Sequence, residues 1–175
     1  MHGDHLNPET LNAIETFRAV IVAPQAVADQ LPTNLKSKAV VLGNGQEINQ
    51  AGIPISAIPM YNLPEAEDSQ HTKGRGNGYI LNLGGKKIYP SGDTEDIPEM
   101  RSLNNIDVAF VCMNQPYTMD ITQASSAVLD FKPKIMYPYH YRGQDGLSDV
   151  EAFKKLVNEG NTSIDVRLRN WYPSN

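Results

Sequence analysis

The chain has 175 residues, of which 40% are apolar and 20% charged, and 15 lysines and arginines against 20 acidic residues give a formal charge of −5. This length and composition predict one domain over residues 1–175 and exclude disordered, collagen-like, coiled-coil and disulfide-scaffold classes. The negative charge argues against nucleic acid as a partner, and the longest apolar runs fall well short of the roughly 20 residues of a membrane span.

The first half of the chain predicts short helices and strands in alternation. Asn7 as N-cap and Pro8 at the first helical position indicate a helix whose apolar side chains are Leu11, Ile14 and Phe17. Pro24 indicates a second short helix, which continues through Ala26, Val27 and Leu31. The strands predicted here cover residues 19–23, 39–42 and 53–58. An irregular polar loop follows over residues 61–78, and a loop of that length is usually functional.

The middle of the chain predicts a β-hairpin. Two strand-like runs, residues 79–83 and 86–89, flank Gly84-Gly85. Both glycines can adopt a positive φ, as the two central residues of a tight hairpin turn require. We therefore expect these two strands to pair in antiparallel fashion.

The second half predicts strands that alternate with helices. The predicted strands cover residues 108–112, 135–137 and 164–168, and the first helix covers residues 121–131. A second helix is predicted to begin at a capping box formed by Ser148 and Glu151 and to end at Gly160, as a left-handed residue after its last turn. Together with the hairpin, this order favours an α/β fold with a mixed sheet.

The single cysteine and the first residues bear on the compartment. Cys112 has no partner for an internal disulfide, which permits a reducing compartment. Met1 is followed by His2-Gly3-Asp4-His5 rather than by a basic and then an apolar segment, so no signal peptide is predicted. We therefore expect a cytoplasmic protein without membrane association.

Side chains of metal-binding type stand at the ends of predicted elements. They are His2, Asp4, His5, His71, Asp93 and His140. Each histidine by itself could equally be a surface residue or a hydrogen-bonded core residue. Three ligand-type side chains are nevertheless crowded into one turn, where Asp4 would otherwise only cap the following helix. Imidazole and carboxylate suit zinc, manganese or iron, and a carboxylate can bridge two ions because it has two oxygens.

Four motifs together resemble the metallo-β-lactamase superfamily of metal-dependent hydrolases, and within it the branch of ascorbate-phosphate lactonases. His2-Gly3-Asp4-His5 is similar to the latter part of the family's His-x-His-x-Asp-His signature, and His71 to its next isolated ligand. Ser91-Gly92-Asp93-Thr94 resembles its bridging aspartate motif, and His140 resembles its last histidine. The resemblance implies an α/β fold of the αββα type, with mixed sheets flanked by helices.

The resemblance also implies a ligand set and a reaction. The signature's first histidine would fall two residues before His2, so we expect a family member that lacks its N-terminal part. One metal site would then use His2, His71 and Asp93, and the other Asp4, His5, Asp93 and His140. Two divalent ions are implied, zinc first with manganese or iron as alternatives, and Asp4 and Asp93 are the expected catalytic residues. The implied reaction is cleavage of an ester, lactone or phosphodiester by metal-bound hydroxide.

The remaining residues of interest concern the substrate and the partners. Lys73, Arg75 and Arg142 could hold an anionic group of a small-molecule substrate, or could equally be solvated loop charges. Tyr139 and Tyr141 flank a candidate ligand, and strand alternation predicts that both point away from it and serve in packing. Cys112 is interpreted as a buried apolar residue.

Two alternatives remain open at this point. The chain could be a non-catalytic remnant that serves as a binding or assembly module, or a nuclease, against which its charge weighs. Missing strands would also leave a sheet edge unpaired, so a homo-oligomer is a further hypothesis.

Overall fold

The computed structural model describes residues 2–14 and 19–173 of the chain. The helices are α1 (Pro8–Ala13), α2 (Gln25–Ala28), α3 (Thr33–Lys36), α4 (Pro98–Arg101), α5 (Ile121–Phe131) and α6 (Val150–Gly160). The strands are β1 (Ile21–Ala23), β2 (Ala39–Val41), β3 (Glu47–Gln50), β4 (Ile53–Met60), β5 (Gly76–Leu83), β6 (Lys86–Pro90), β7 (Val108–Cys112), β8 (Ile135–Tyr139), β9 (Arg142–Gly143), β10 (Gly146–Leu147) and β11 (Asp165–Val166). Within these residues, every helix is too short or too polar to cross a membrane.

A mixed sheet of seven strands forms the centre of the structure. Its strand order is β11-β8-β7-β6-β5-β4-β3. The pairs from β3 to β6 are antiparallel, whereas β6, β7, β8 and β11 run parallel to one another. Because parallel strands end at the same edge of a sheet, the segments that follow β6 and β8 emerge side by side. This edge is where the candidate site lies.

Core packing covers both faces of the large sheet. On β5, Ile80 packs against a large cluster that contains the buried side chains of α5 and α6. Tyr79 and Leu81 instead pack against a second cluster around Leu42 and Ile55. Successive side chains of a strand point to opposite faces, so the two clusters lie on opposite sides of the sheet. The parallel pair β1–β2 belongs to the second side, where the Tyr79 hydroxyl donates to the carbonyl of Val22 at 3.4 Å.

Several predicted elements are confirmed by the structure. β7 and α5 have the predicted bounds, and β5 and β6 form the predicted hairpin, with φ of 57° at Gly84 and 77° at Gly85. Asn7 caps α1, since its side chain accepts a hydrogen bond from the Thr10 amide at 2.7 Å. Phe17, predicted to extend that helix, lies outside the described residues.

The predicted ends of α6 are wrong. Asp149, not Ser148, is the N-cap, and its Oδ1 accepts from the Ala152 amide at 2.9 Å, while the Ser148 hydroxyl donates to the Met113 carbonyl. Gly160 is the last residue of the helix rather than a left-handed residue beyond it. A Cβ on Gly160 would lie 2.6 Å from Leu129 Cδ1, so this glycine permits the close approach of α6 to α5.

Other differences concern lengths and omissions. β5 begins at Gly76 and β8 continues to Tyr139, whereas β11 covers only Asp165–Val166 of the predicted residues 164–168. β3, α3 and α4 were not predicted, because each has only four residues and too few apolar positions to show a period.

Candidate metal centre

Asp93 and His140 stand just beyond the carboxyl ends of parallel strands. Asp93 follows β6 after a turn at Gly92, whose φ of 67° suits glycine. His140 follows β8 directly and has a φ of 45°, in the left-handed region. A non-glycine residue is strained there, and such strain concentrates at functional sites.

The two turns that supply the other groups are held by local hydrogen bonds. The amides of His5 and Leu6 both donate to the carbonyl of His2, at 3.2 and 3.1 Å, which folds residues 2–6 into a tight turn before α1. His71 is fixed in its long loop by two hydrogen bonds with Asn62. The His71 backbone amide donates to Asn62 Oδ1 at 2.8 Å, and the Asn62 backbone amide donates to the His71 carbonyl at 2.9 Å.

One group of ligand-type atoms surrounds Asp93 on the side of His140. It consists of Asp4, His5, Asp93 and His140, whose candidate ligand atoms all lie within 4.8 Å of one another. His5 Nε2 lies 2.9 Å from Asp93 Oδ2 and 3.2 Å from His140 Nε2. His140 Nε2 lies 3.4 Å from Asp93 Oδ1 and 3.5 Å from Asp4 Oδ2.

A second group shares the same aspartate. It consists of His2, His71 and Asp93, again within 4.8 Å of one another. His71 Nε2 lies 3.4 Å from Asp93 Oδ2, and Gln70 Nε2 lies 3.2 Å from His2 Nε2. The structure therefore brings together the six residues that the sequence singled out, and Asp93 is common to both groups.

Burial and charge explain why these groups suit a cation. Asp93 and His71 are only 5% and 6% exposed, and within the described chain both ring nitrogens of His71 and Oδ1 of Asp93 have no hydrogen-bond partner. A buried polar atom left without a partner is costly, and bound cations would satisfy Asp93 Oδ1 and one ring nitrogen of His71. The donor set is nitrogen and carboxylate oxygen, which is the chemistry of zinc and related divalent ions.

The pKa shifts of Asp93, His5 and His2 reflect how closely these side chains are packed together. Burial alone would raise the pKa of Asp93, but the close imidazoles of His140 and His5 hold it well below its usual range. The close Asp93 carboxylate raises the pKa of His5, whereas burial and the neighbouring His71 lower the pKa of His2. Asp93 is thus a carboxylate across the physiological range, as a metal ligand must be.

The three predicted substrate-binding cations lie in different settings. Arg75 lines a cavity of ≈ 290 Å³ together with His2, His71 and many apolar side chains. Arg142 lines a second cavity, of ≈ 580 Å³, on the side of Asp4, His5 and His140. Lys73 lines neither cavity, and its ammonium group lies 3.0 Å from Glu65 Oε1 and 3.5 Å from Glu99 Oε1.

The aromatic residues near His140 differ in part from the prediction. Tyr141 is buried and its hydroxyl donates to the Arg169 carbonyl at 3.0 Å, which is a packing role. The predicted packing role of Tyr139 is confirmed, since it packs against the main core cluster. The prediction that it points away from His140 is wrong, because their ring centroids lie 6.3 Å apart where the left-handed backbone at His140 breaks the strand alternation. Tyr139 also lines the second cavity. Trp171 and Tyr172 line the same cavity and were not predicted. Their signal in the sequence is only an aromatic pair far from any ligand motif.

Cys112 is completely buried at the end of β7. Burial raises the pKa of its thiol to about 11. A neutral, inaccessible thiol fits the predicted role as a small apolar residue rather than a nucleophile.

Comparison with known proteins identifies the family. The family model described as "Beta-lactamase superfamily domain" matches residues 1–141. A UPF0173 metal-dependent hydrolase of Pyrococcus abyssi is 31% identical over 163 residues, which cover 90% of this chain and 71% of that protein. A crystal structure from Parabacteroides distasonis, 40% identical, superposes with a TM-score of 0.86 over 98% of this chain and 74% of its own. The metallo-β-lactamase fold protein YhfI of Bacillus subtilis, 11% identical, shares the fold with a TM-score of 0.72 over 97% of this chain and 71% of its own. The fold, the clustered histidines and aspartates and these matches together show that the chain belongs to the metallo-β-lactamase superfamily of metal-dependent hydrolases, in the UPF0173 family.

Proposed function

We propose that the two groups hold two divalent metal ions, zinc first with manganese or iron as alternatives. His2, His71 and Asp93 would hold one ion, and Asp4, His5, Asp93 and His140 the other. The observation that carries this proposal is the single buried carboxylate of Asp93, which is common to two sets of imidazoles. A carboxylate in that position would help to hold both ions.

The reaction that this arrangement supports best is hydrolysis of an ester, lactone or phosphodiester. When bound, the ions would lower the pKa of a water molecule and polarise the bond under attack. Asp93 would keep the two sites at a fixed separation, since it is buried and its Oδ2 lies 2.9 Å from His5 Nε2. Asp4, whose side chain is 53% exposed, lies where the site meets solvent, and its carboxylate could orient a water molecule and pass a proton to bulk water.

The substrate class follows from charge. Arg142 borders the cavity that contains Asp4, His5 and His140, and it forms no ion pair with any described acidic residue. A free guanidinium beside a cationic centre favours a small anionic substrate, in keeping with the resemblance to ascorbate-phosphate lactonases. The net charge of −5 makes a long polyanion such as nucleic acid a poor substrate.

Metal analysis of matched carboxylate variants tests the metal centre. Purified protein is reconstituted with zinc, manganese or iron, and the bound ions are counted by mass spectrometry. We expect two ions per wild-type chain and a loss of at least one in Asp93→Asn. Asp107→Asn is the control, because Asp107 is also a mostly buried aspartate but lies outside both groups. A wild-type chain that binds no ion, or an Asp93→Asn variant that keeps two, contradicts the proposed centre.

A substrate screen tests the reaction. Small esters, lactones and phosphodiesters with and without an anionic group are assayed with the metal-loaded protein. We expect turnover of an anionic member that disappears in Asp93→Asn and persists in Asp107→Asn. Two bound ions without turnover of any of these classes would refute the proposed substrates and favour a binding module.

A further inference from the structure

Aromatic side chains from three separate segments converge on the second cavity. Phe110 comes from β7, Tyr139 from the end of β8, and Trp171 and Tyr172 from the carboxyl-terminal segment. They line the cavity together with Asp4, His5 and His140. A cavity of this composition offers flat apolar faces next to the candidate metal ligands.

Trp171 is exposed and yet fixed in orientation. Its side chain is a large apolar surface, 44% exposed, and its Nε1–H donates to the Pro138 carbonyl at 2.8 Å. Exposure of so large a ring is unfavourable in water, whereas the hydrogen bond holds the indole in one position. A ring held in this way can stack on a flat ligand with little further loss of conformational entropy.

Arg142 is held in a similar way. Its Cζ lies 4.1 Å from the centre of the Tyr172 ring, and that ring packs edge-on against Tyr141, with centroids 5.0 Å apart. One face of the guanidinium is therefore covered, and its N–H edge has no acidic partner among the described residues. The arrangement is that of a preorganised anion site, because the N–H edge of a guanidinium binds carboxylate or phosphate through two parallel hydrogen bonds.

We propose that the second cavity selects a substrate in which a flat unsaturated ring carries a carboxylate or phosphate group. The ring stacks on Trp171, the anionic group binds Arg142, and the bond to be cleaved faces Asp4, His5 and His140. This inference rests on the proposed function, since it names the substrate class of that same site. The first cavity also contains an arginine and a tyrosine, Arg75 and Tyr79, but the rest of its lining is largely aliphatic and includes neither Trp171 nor Arg142.

The single tryptophan of the chain provides a direct test. Trp171 is the only source of indole fluorescence, so a ring that stacks on it changes the emission of the whole protein. Phenyl phosphate and cyclohexyl phosphate are titrated into the metal-loaded protein, since they have the same charge and similar size but only the first is flat. We expect phenyl phosphate to quench the emission and to bind about 3- to 10-fold more tightly than cyclohexyl phosphate. Equal affinities for the two phosphates overturn the proposal.

Variants separate the ring contact from the anion contact, with calorimetry as the readout. Trp171→Leu should abolish the preference for phenyl phosphate, and Trp171→Phe should retain part of it. Arg142→Gln should weaken both phosphates by about 10-fold or more without changing their ratio. Arg167→Gln is the control, because Arg167 lies outside the cavity and pairs with Asp165 at 2.7 Å, and we expect it to bind both phosphates as wild type does. A preference that survives in Trp171→Leu refutes the stacking.

The metal count distinguishes failure of this inference from failure of the proposed function. Each protein is analysed for bound ions in parallel with calorimetry. Two ions and turnover without a ring preference overturn this inference alone. A ring preference that persists in a chain without ions supports this inference and overturns the proposed metal centre.

Discussion

Gly78 connects the packing of the sheet to the position of Asp93. It lies in β5, and a Cβ on this residue would be 2.6 Å from the carbonyl oxygen of Ser91 and 3.2 Å from that of Pro90. The nearer contact is about 0.8 Å inside the ordinary van der Waals limit of about 3.4 Å. Both atoms belong to the backbone, so no change of rotamer can relieve the overlap, and the segment that leads to Asp93 must move.

We predict that Gly78→Ala destabilises the protein and weakens metal binding. Overpacking of this kind costs about 1–3 kcal/mol, and replacing a glycine inside a strand recovers only about 0.5–1 kcal/mol of chain entropy. The cost of the overlap therefore exceeds the gain in chain entropy, and we expect the free energy of unfolding to fall by roughly 1–2 kcal/mol and Tm by about 2–8 °C. Urea unfolding of the metal-free protein, followed by circular dichroism, measures the stability, and calorimetric titration with zinc measures the effect on the site.

Gly43→Ala is the matched control for this prediction. A Cβ on Gly43 would meet only the end of the Gln46 side chain, with Oε1 at 3.3 Å and Cδ at 3.7 Å, and a flexible side chain can move by a few tenths of an ångström. We expect a change in stability within about 0.5 kcal/mol. If Gly78→Ala is as stable as Gly43→Ala and binds zinc as wild type does, the close approach of β5 to the segment after β6 does not position Asp93.

Three further predictions concern buried or paired groups. Lys134 Nζ, at 2.8 Å, and the Lys87 backbone amide hold the pKa of Asp107 at about 2, below its usual 3.8. The stabilisation from these contacts is therefore complete above about pH 4 and is lost as the pH falls towards 2. Urea unfolding at each pH should show that the stability difference between wild type and Asp107→Asn shrinks over that interval, and a constant difference would refute the prediction. Cys112 should not react with a thiol reagent at pH 8 until the chain is unfolded, when one thiol should be titrated; rapid reaction of the native protein would show that β7 opens easily. For each ion bound, zinc at one hundred times its Kd should raise the stability of wild type by about 2.7 kcal/mol, and EDTA should reverse this. Asp93→Asn, which loses at least one ion, should show a smaller effect in thermal melts.

Local sequence signals predicted those parts of the fold that depend on neighbouring residues. The bounds of β7 and α5 and the turn at Gly84-Gly85 follow from short-range periodicity and from the backbone freedom of glycine, and the structure confirms them. The ends of α6 were predicted wrongly because Ser148 and Asp149 are both good N-caps, and only the tertiary contact of Ser148 with Met113 decides between them.

The candidate site was likewise predictable in part from the sequence and in part only from the tertiary structure. Its histidines and aspartates could be chosen from the sequence because their chemical type and their order along the chain are local properties, and β6 and β8 are recognisable strands. Only the tertiary structure placed Trp171 and Tyr172 beside His140 and engaged Lys73 with Glu65 and Glu99, since these contacts join segments that no spacing rule connects. The chain by itself determined which atoms are available for chemistry. The parallel order of β6, β7 and β8 decided which of those atoms meet, because strands that run in the same direction deliver their following loops to one edge.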